Sequence, residues 1–521
     1  MKRRDFLQKT LPGAIILPSL LNGLAVKAFS SHPLFSALLS PNETDKVLVL
    51  IQLSGGNDGL NTVIPLEYYS DYFNARNGIA IPENRILNLS GQPGTGLHPS
   101  MSGIQALYNS GKVNIIQSVG YPNPNFSHFR STDIWMSASD SDENLPSGWA
   151  GRYLDTQYPG YPNNYPDSSM PDPLAIQIGS LTSLVVQGPA VNMGLSISDP
   201  SAFYNLVTGV QDPAPATPAG KELSYIRNVA RQSNLYADAI TDAYNNVTQQ
   251  GNYPNTNLSG QLKIVARLIK GGLKTRVYMV NIGGFDTHSQ QVNTGDSTTG
   301  THANLLNQLS DAMKAFQDDL QFLGIEERVL GMTFSEFGRR IKSNGSSGTD
   351  HGAAAPMFLF GANVNAGIIG QNPEIPAAAT VNDNVAMQYD FRSVYASILT
   401  QWFCADSATV QSTMLQNFQE LPLVNGRICD PTPVNSSGVL ISNYPNPFNT
   451  QTTIQYTSAG GHTLVQIMDA SGRLIKRLVE AEMQAGTYAI SFNASLLPSG
   501  VYYARLQNGS ISQVRSMLVV R

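Results

Sequence analysis

The sequence predicts an α/β protein, a three-layer sandwich around a mostly parallel sheet, followed by a small all-β sandwich at the carboxyl end. Three apolar runs, Val47 to Leu53, Val277 to Ile282 and Val329 to Phe334, have the length and continuous hydrophobicity of strands buried on both faces. Between them lie stretches such as Thr301 to Leu323, where apolar side chains recur at helical spacing. Strands alternating with helices are typical of a parallel sheet covered by helices.

Length and composition indicate an exported protein with more than one domain. A chain of 521 residues exceeds the size at which one hydrophobic core stops growing, about 250 to 300 residues. Only 13% of the residues are charged, while 45 glycines and 31 prolines indicate many loops, and the stretch Tyr153 to Gly220 reads as a loop-heavy insertion. The net charge of −5 argues against nucleic-acid binding, which needs a basic surface.

The amino-terminal residues 1–28 resemble a twin-arginine signal peptide. Paired arginines in Arg3 to Leu7 precede the apolar stretch Leu11 to Leu24 and small residues up to Ala28. An ordinary secretory signal also fits the charge and length, but the paired arginines favour the first interpretation. Prolines interrupt the apolar stretch, and a lasting membrane helix needs about 20 apolar residues. We therefore expect the twin-arginine translocase as a partner and no stable transmembrane segment.

Cys404 and Cys429 are the only cysteines in the chain. An oxidising compartment would allow them to pair. Two unpaired thiols are an equally good interpretation, because Cys404 follows the apolar stretch Val394 to Phe403 and fits a core position. Neither belongs to a CxxC motif, so we expect no thiolate metal site.

Residues 431–438, rich in Pro, Ser and Asn, are predicted to link the main domain, residues 44–430, to a second domain, residues 439–521. In that tail apolar and polar side chains alternate, as in Leu464 to Ile467, and turn signals such as Gly460-Gly461 recur. This pattern predicts several short strands of a small β-sandwich.

Three short motifs of the tail carry a resemblance to a known family. They are Tyr444-Pro445-Asn446-Pro447-Phe448-Asn449, Asp469-Ala470-Ser471-Gly472-Arg473 and Leu497-Pro498-Ser499-Gly500-Val501-Tyr502-Tyr503. These motifs resemble the type IX secretion C-terminal sorting domain. The resemblance implies that the outer-membrane secretion machinery recognises the tail. It also implies a protein that crosses the periplasm and ends on the cell surface or is released.

The loops behind the predicted strands of the main domain carry carboxylate and imidazole side chains. These residues are Asp58, Asp286, His288, Glu336, Asp350 and His351. The carboxyl ends of parallel strands meet at one edge of a sheet, so we expect the loops to converge. Mixed carboxylate and imidazole ligands favour zinc, manganese or iron over calcium and magnesium. The sequence therefore predicts a divalent metal site, with zinc or manganese favoured, although each pair alone is more often structural.

A helix is predicted to begin at Ser127, after the strand Val113 to Val119. Free N–H groups and the positive end of the dipole at a helix N-terminus stabilise an anionic nucleophile or a bound phosphate or sulfate. Ser127 is therefore a candidate nucleophile, and Arg130 a candidate clamp for an oxyanion. Two plainer interpretations stay open, since serine is a good helix cap and an exposed helix arginine is common.

Six motifs between about Val47 and Phe403 resemble the DUF1501 family of exported bacterial proteins, which belongs to the alkaline phosphatase and sulfatase superfamily. They occupy residues 53–59, 126–129, 148–152, 284–288, 336–339 and 350–352. The resemblance implies an alkaline-phosphatase-like fold over the main domain. By position, it makes Asp58 a ligand of one metal and Ser127 the nucleophile. It implies that the other metal is held by Asp286, His288 and His351.

The sequence departs from the superfamily at Phe337, where a ligating histidine is usual. Either Asp350 compensates for the lost imidazole or the site holds one metal. The sulfatase motif Cys-x-Pro-x-Arg is absent, so a formylglycine sulfatase is not expected. The leading hypothesis is an exported metal-dependent hydrolase of phosphate or sulfate esters. The alternative, favoured by Phe337, is a surface binding or scaffold protein that keeps the fold and one metal without turnover.

Overall fold

The computed structural model describes residues 45–163, 165–198, 200, 217, 234–249, 251–425, 429, 440–444, 448–469, 473–508 and 511–520. Contacts divide the chain into two units, Met1–Cys429 and Asp430–Arg521, and each is described by itself. The predicted signal peptide and linker lie outside the described residues.

The strands of the first unit lie in one large sheet and two small ones. They are β1 (Val47–Ser54), β2 (Val63–Pro65), β3 (Leu87–Leu89), β4 (Gln92–Leu97), β5 (Val113–Gly120), β6 (Ala175–Ile178), β7 (Gly194–Ile197), β8 (Val277–Gly283), β9 (Val329–Phe334), β10 (Gly338–Arg339), β11 (His351–Gly352), β12 (Ala355–Phe360), β13 (Gly367–Ile369) and β14 (Tyr389–Asp390).

The large sheet has the strand order β13-β5-β12-β9-β1-β8-β6-β7, with β14 also paired to β5. Parallel pairing joins β8, β1 and β9, as the apolar runs predicted. Among the described strands of this sheet, β12 alone runs antiparallel to its neighbours β5 and β9. The reversal brings the start of β12 to the edge where the other strands end.

The helices of the first unit pack on both faces of this sheet. They are α1 (Gly59–Thr62), α2 (Tyr69–Ala75), α3 (Ser102–Asn109), α4 (His128–Ser137), α5 (Trp149–Gln157), α6 (Asn257–Lys270), α7 (Thr301–Phe322), α8 (Phe391–Gln401) and α9 (Ser407–Met414), with a further helical segment at residues 234–245.

Alternate side chains of β1 enter two different cores, because successive residues of a strand point to opposite faces. Val49 and Ile51 belong to a core with apolar side chains of α3, α6 and α7. Leu48 and Leu50 belong to a second core with side chains of α4, α5 and α8. Helices thus cover both faces of the sheet, which confirms the predicted three-layer architecture.

The segment from Tyr153 to Gly220, predicted as a loop-heavy insertion, contributes two strands to the sheet. Strand β6 pairs in parallel with β8, and β7 pairs in parallel with β6. Each is only four residues long and lies among glycines and prolines. So short an apolar run gives little periodic signal, and its strand conformation depends on the adjacent edge of β8.

Cys404 and Cys429 form a disulfide with a sequence separation of 25 residues. The sequence left open whether the two cysteines pair or stay free, and in the structure they pair. A disulfide agrees with an oxidising, extracytoplasmic location.

The second unit is all β, as predicted, but its strands are not all short. It contains β15 (Leu440–Tyr444), β16 (Gln451–Asp469), β17 (Leu474–Asn493), β18 (Gly500–Asn508) and β19 (Ile511–Val519) in one antiparallel sheet. The predicted turn at Gly460-Gly461 does not end the strand. Both glycines adopt positive φ values, but β16 continues through them and pairs with β17 on either side. The sheet encloses its own apolar core, which includes Ile454, Val465 and Leu506.

No helix in the described part of the chain is long and apolar enough to span a membrane.

Candidate metal centre

The candidate metal centre lies at the edge where β1, β5, β8 and β9 end. Asp58 follows β1, Asp286 follows β8 and Glu336 follows β9. His351 forms part of β11 just before β12, and the reversed direction of β12 brings this residue to the same edge. The predicted convergence of the loops therefore occurs, although the side chains within it form two separate groups.

Asp286, His288 and His351 form a close triangle of ligand atoms. The Nε2 atoms of His288 and His351 are 2.9 Å apart. Oδ1 of Asp286 lies 3.3 Å from each of these nitrogens. A tetrahedral zinc site with ligand bonds of 2.0–2.1 Å has ligand atoms about 3.3 Å apart. The triangle fits three corners of such a site and leaves the fourth corner open.

Hydrogen bonds at the far side of each ring determine which nitrogen carries the proton. His351 Nδ1 lies 2.8 Å from the carbonyl oxygen of Phe126, which only accepts, so Nδ1 is the donor. His288 Nδ1 lies 3.0 Å from Asp350 Oδ1, a carboxylate that likewise accepts. Both Nε2 atoms of the neutral rings therefore present lone pairs to each other. Outer hydrogen bonds of this kind orient histidine ligands in metal sites.

Two lone pairs 2.9 Å apart repel each other unless a cation lies between them or one ring takes a second proton. Burial is the largest influence on His351 and lowers its pKa; the positive charge of Arg339 lowers it further, while the hydrogen bond to Phe126 acts in the opposite direction. The net lowering opposes a second proton on His351. A metal cation bound by both nitrogens and by Asp286 would relieve this repulsion.

His128 brings a further imidazole to the cluster. Its Nδ1 lies 2.9 Å from Oε1 of the buried Glu336, and its Nε2 lies 3.6 Å from Oδ2 of Asp286. Ligand atoms of His128, Asp286 and His351 all fall within 4.8 Å of one another, which makes them a second possible ligand set. That spacing exceeds a tetrahedral edge, so the triangle with His288 is the tighter fit.

Phe337 occupies the centre of this edge and cannot ligate. It is fully buried, and its ring centroid lies 4.4 Å from that of His351 and 5.0 Å from that of His128. Gly56 has a positive φ of 83°, and a Cβ added there would lie 2.3 Å from the Phe337 ring. The ring therefore acts as a packing platform for the two imidazoles.

Arg339 holds the loops of the centre together from beneath. Its buried guanidinium donates to the carbonyl oxygens of Gly55, Gly56, Phe285 and Thr349. It also donates to Asp286 Oδ1 at 2.8 Å. Burial alone would raise the pKa of Asp286, but the hydrogen bond and charge of Arg339, together with smaller contributions from His351 and His288, lower that pKa. Asp286 is thus an anion in position to bind a cation.

Asp58, predicted as a metal ligand, lies in a different group. Nη1 of Arg76 is 2.7 Å from both of its carboxylate oxygens, and both side chains are 0% exposed. Gln291 Nε2 donates to Oδ2 at 2.6 Å. Burial would raise the pKa of Asp58, but the nearby positive charge and these hydrogen bonds lower it. In this structure the partner of Asp58, which was predicted to ligate one metal, is a guanidinium, a contact that the sequence did not indicate.

Glu336 and Asp350 lie beside the triangle and contact its surroundings. Glu336 Oε1 accepts from the backbone N–H of Gly55 at 2.8 Å as well as facing His128. Asp350 Oδ1 accepts from Asn344 Nδ2 at 3.1 Å in addition to its bond with His288. In this structure, Glu336 contacts His128 and Asp350 contacts His288, and neither carboxylate belongs to the triangle.

Ser127 occupies the N-cap position of α4, and its side chain makes no capping hydrogen bond. The side chain is exposed, and its neighbours Phe126 and His128 both contact the cluster. The interpretation of Ser127 as a simple side-chain cap therefore does not describe the structure. Arg130, predicted as a clamp, instead donates through Nη2 to backbone carbonyls at residues 140, 141 and 143, so it braces a loop.

Two further histidines lie in the described part of the first unit, and both are core residues. His302 is buried and lies 3.1 Å from Asn57 Oδ1 through Nε2. Burial lowers its pKa to about 4, although the charge of Asp58 acts in the opposite direction. His98 packs edge-on against His302 and accepts from the N–H of Ser100, and burial lowers its pKa to about 3. Both rings are therefore neutral in the folded protein.

Two family matches accompany this geometry. Residues 227–405 match the family described as "Protein of unknown function (DUF1501)", a range that contains Asp286, His288, Glu336, Asp350 and His351. Residues 442–521 match the secretion system C-terminal sorting domain. Both resemblances drawn from the short motifs are thereby confirmed. The sorting domain indicates export to the cell surface or secretion, and it implies interaction with the type IX secretion machinery.

Similar solved structures include the PsFucS1 sulfatase from Pseudoalteromonas sp., with 10% identity, a TM-score of 0.32 and coverage of 92% of this chain and 89% of that one. A protein in the alkaline phosphatase superfamily from Vibrio parahaemolyticus has 8% identity, a TM-score of 0.28 and coverage of 87% and 83%. The surface component PorZ of Porphyromonas gingivalis has 22% identity and a TM-score of 0.13, and the match covers 19% of this chain and 14% of PorZ. These likenesses are too distant to carry an argument. No curated protein matches the chain.

Replacing Arg339 with methionine should lower the free energy of unfolding by about 3–5 kcal/mol, because the buried carbonyls and Asp286 would lose their partner. The matched control is Arg340→Met, which removes a partly exposed guanidinium next in sequence and should cost less than about 1 kcal/mol. Urea unfolding followed by fluorescence measures both. Equal losses in the two variants would contradict the role given to Arg339.

His302 makes stability depend on pH. The ordinary pKa near 6.5 applies to the unfolded chain, and about 4 to the folded one. Between these values only the unfolded state takes up the proton, so the free energy of unfolding falls as pH decreases from 6.5 towards 4. Between pH 7 and pH 5, the free energy of unfolding of His302→Gln should fall by about 2 kcal/mol less than that of the wild type. Urea midpoints measured with a chelator present test this; parallel losses would refute it.

Proposed function

We propose that the main unit is an exported metal-dependent hydrolase of phosphate or sulfate esters. Asp286, His288 and His351 hold one divalent ion, for which zinc and manganese are the favoured identities. When bound, the ion supplies positive charge that stabilises charge developing on the transferring group. The proposal concerns the main unit only, while the tail serves export.

The observation that carries the proposal is the pair of Nε2 atoms 2.9 Å apart, each on a ring whose Nδ1 is committed to an acceptor. Asp286 adds a carboxylate oxygen at 3.3 Å from both nitrogens. Three protein ligands with an open fourth corner are the usual pattern of catalytic zinc sites, whereas structural zinc sites are closed by four protein ligands. The donor set therefore supports a site that receives a substrate.

Ser127 is the proposed nucleophile. Its hydroxyl is exposed at the start of α4, a ten-residue helix. The first N–H groups of a helix have no acceptor within the helix. Those N–H groups and the helix dipole suit an anionic phosphate or sulfate group. Arg130 has no part in this proposal, because its guanidinium is bonded to the loop that follows α4.

A second function, surface binding without turnover, is favoured by a different observation. Asp58 is paired with Arg76, and Glu336 is engaged by His128 and the N–H of Gly55. Phe337 supplies no ligand. With Asp58 and Glu336 engaged by other groups, one metal ion and few catalytic side chains remain. Such a site would bind an anionic ligand and release it unchanged.

The proposed route of export begins with the twin-arginine translocase. Arg3 and Arg4 lie among the residues outside the described part of the chain, so this proposal rests on the sequence motif. Translocation of a folded protein agrees with loading of the metal in the cytoplasm. The sorting domain then directs passage across the outer membrane.

Metal content tests the site. The purified protein should contain about one zinc or manganese ion per chain by inductively coupled plasma mass spectrometry. Asp286→Asn and His288→Ala should abolish binding, and Asp350→Asn should weaken it by about 10- to 100-fold, because it only orients His288. His462→Ala, which removes an exposed histidine of the tail, is the control and should bind normally. Retention of the ion in His288→Ala would remove the basis of the proposal.

Turnover separates the two functions. Metal-loaded protein should hydrolyse an aryl phosphate or aryl sulfate, and Ser127→Ala should reduce kcat/KM by at least about 1000-fold. Ser141→Ala, a change of a nearby serine outside the cluster, should retain activity. A metal-loaded wild type without turnover would favour the binding function, and an active Ser127→Ala variant would exclude Ser127 as nucleophile.

A further inference from the structure

Two carboxylates at the carboxyl edge of the sheet already have fixed positive partners. Arg76 pairs with Asp58 through Nη1, at 2.7 Å from each carboxylate oxygen. Arg339 pairs with Asp286 through Nη2, at 2.8 Å from Oδ1. Both guanidinium groups are fully buried. They differ in one respect: imidazole nitrogens of His288 and His351 lie 3.3 Å from Asp286, whereas His302, which acts on Asp58 through its charge, makes its hydrogen bond to Asn57.

The Arg76 guanidinium is fixed on every side. Nε donates to the carbonyl oxygen of Ile341 at 2.7 Å, and Nη2 donates to that of Arg340 at 2.6 Å. Nη1 also donates to Asn61 Oδ1 at 3.1 Å. A planar guanidinium whose three nitrogens all have acceptors cannot rotate aside without leaving buried carbonyls unpaired. The guanidinium is therefore a permanent cation beside Asp58.

The other oxygens near Asp58 are also engaged. Asn57 Oδ1 accepts from Thr62 Oγ1 at 3.1 Å and lies 3.1 Å from His302 Nε2. Gln291 faces Asp58 with its N–H group, and its own oxygen accepts from Thr287 and Thr349. No second group of carboxylate and imidazole side chains surrounds Asp58 within the described part of the chain. A divalent ion there would meet a buried positive charge and few free ligands.

We propose that Arg76 stands in the place of a second metal ion, so that the protein binds one divalent cation, with Asp58 serving as the counterion of Arg76. This inference rests on the proposed function, since it takes the Asp286, His288 and His351 site as the place of the single ion. It explains how Asp58 keeps the position of a metal ligand without binding metal.

Zinc stoichiometry tests the inference on the purified full chain. Native mass spectrometry and elemental analysis, with a chelator of known affinity competing for weakly held ions, should give one zinc per chain. His288→Ala should give none. The double variant Asp58→Asn with Arg76→Met, which removes both charges together, should still bind one zinc with affinity within about threefold of the wild type, because the pair does not contact the ion.

Each result has a distinct meaning. Two zinc ions in the wild type, or loss of zinc from a folded double variant, would overturn the inference that Arg76 takes the place of a second metal ion. Either result would leave the proposed function standing, because the wild type would still bind zinc. No zinc in the wild type would overturn the proposed function and this inference together. The wild-type stoichiometry decides the matter even if the double variant fails to fold.

Discussion

The candidate metal centre depends on the guanidinium of Arg339. Three loops, following β1, β8 and β9, begin at the same edge of the sheet. A buried guanidinium with five N–H donors satisfies carbonyls from the first two of these loops and from Thr349 at once. Because the same group also bonds Asp286, the position of a proposed metal ligand is tied directly to the main chain of the loops.

Two buried arginines thus give this edge its electrostatic character. Arg339 keeps Asp286 ionised while leaving it half-exposed towards His288 and His351. Arg76 pairs with Asp58 in the interior, where burial of an unpaired carboxylate would be costly. The carboxylate of Asp286 is therefore accessible to a cation, whereas the carboxylate of Asp58 is buried and paired with Arg76. Phe337 lies beside the Asp286 group, since its ring packs against the imidazoles of His128 and His351 and against Gly56.

The frame of the fold was predictable from the sequence, because β1, β8 and β9 are continuous apolar runs with a signal that tertiary contacts do not override. The short strands β6 and β7 were missed, since their conformation comes from pairing with a neighbouring edge. In the tail, Gly460 and Gly461 suggested a turn, yet the long pairing of β16 with β17 carries the strand through them.

The site was predictable in part for a similar reason. Side chains immediately after strands, such as Asp286 and His288, are positioned by the sheet itself. His128 could have been found, because its motif was noted, but its contact with Glu336 depends on how α4 approaches the sheet. Arg76 carried no signal, since the end of a short helix is a common place for an exposed arginine. Its burial follows from packing between residues far apart in sequence.

We propose that the imidazoles of His288 and His351 and the carboxylate of Asp286 surround a single cation. Crystals grown with zinc, with diffraction recorded on either side of the zinc absorption edge, test it most directly. We expect one strong anomalous peak about 2.0–2.1 Å from the Nε2 atoms of His288 and His351 and from an oxygen of Asp286. A peak bonded to Asp58, or density for the two imidazoles at 2.9 Å without an anomalous peak between them, would contradict it.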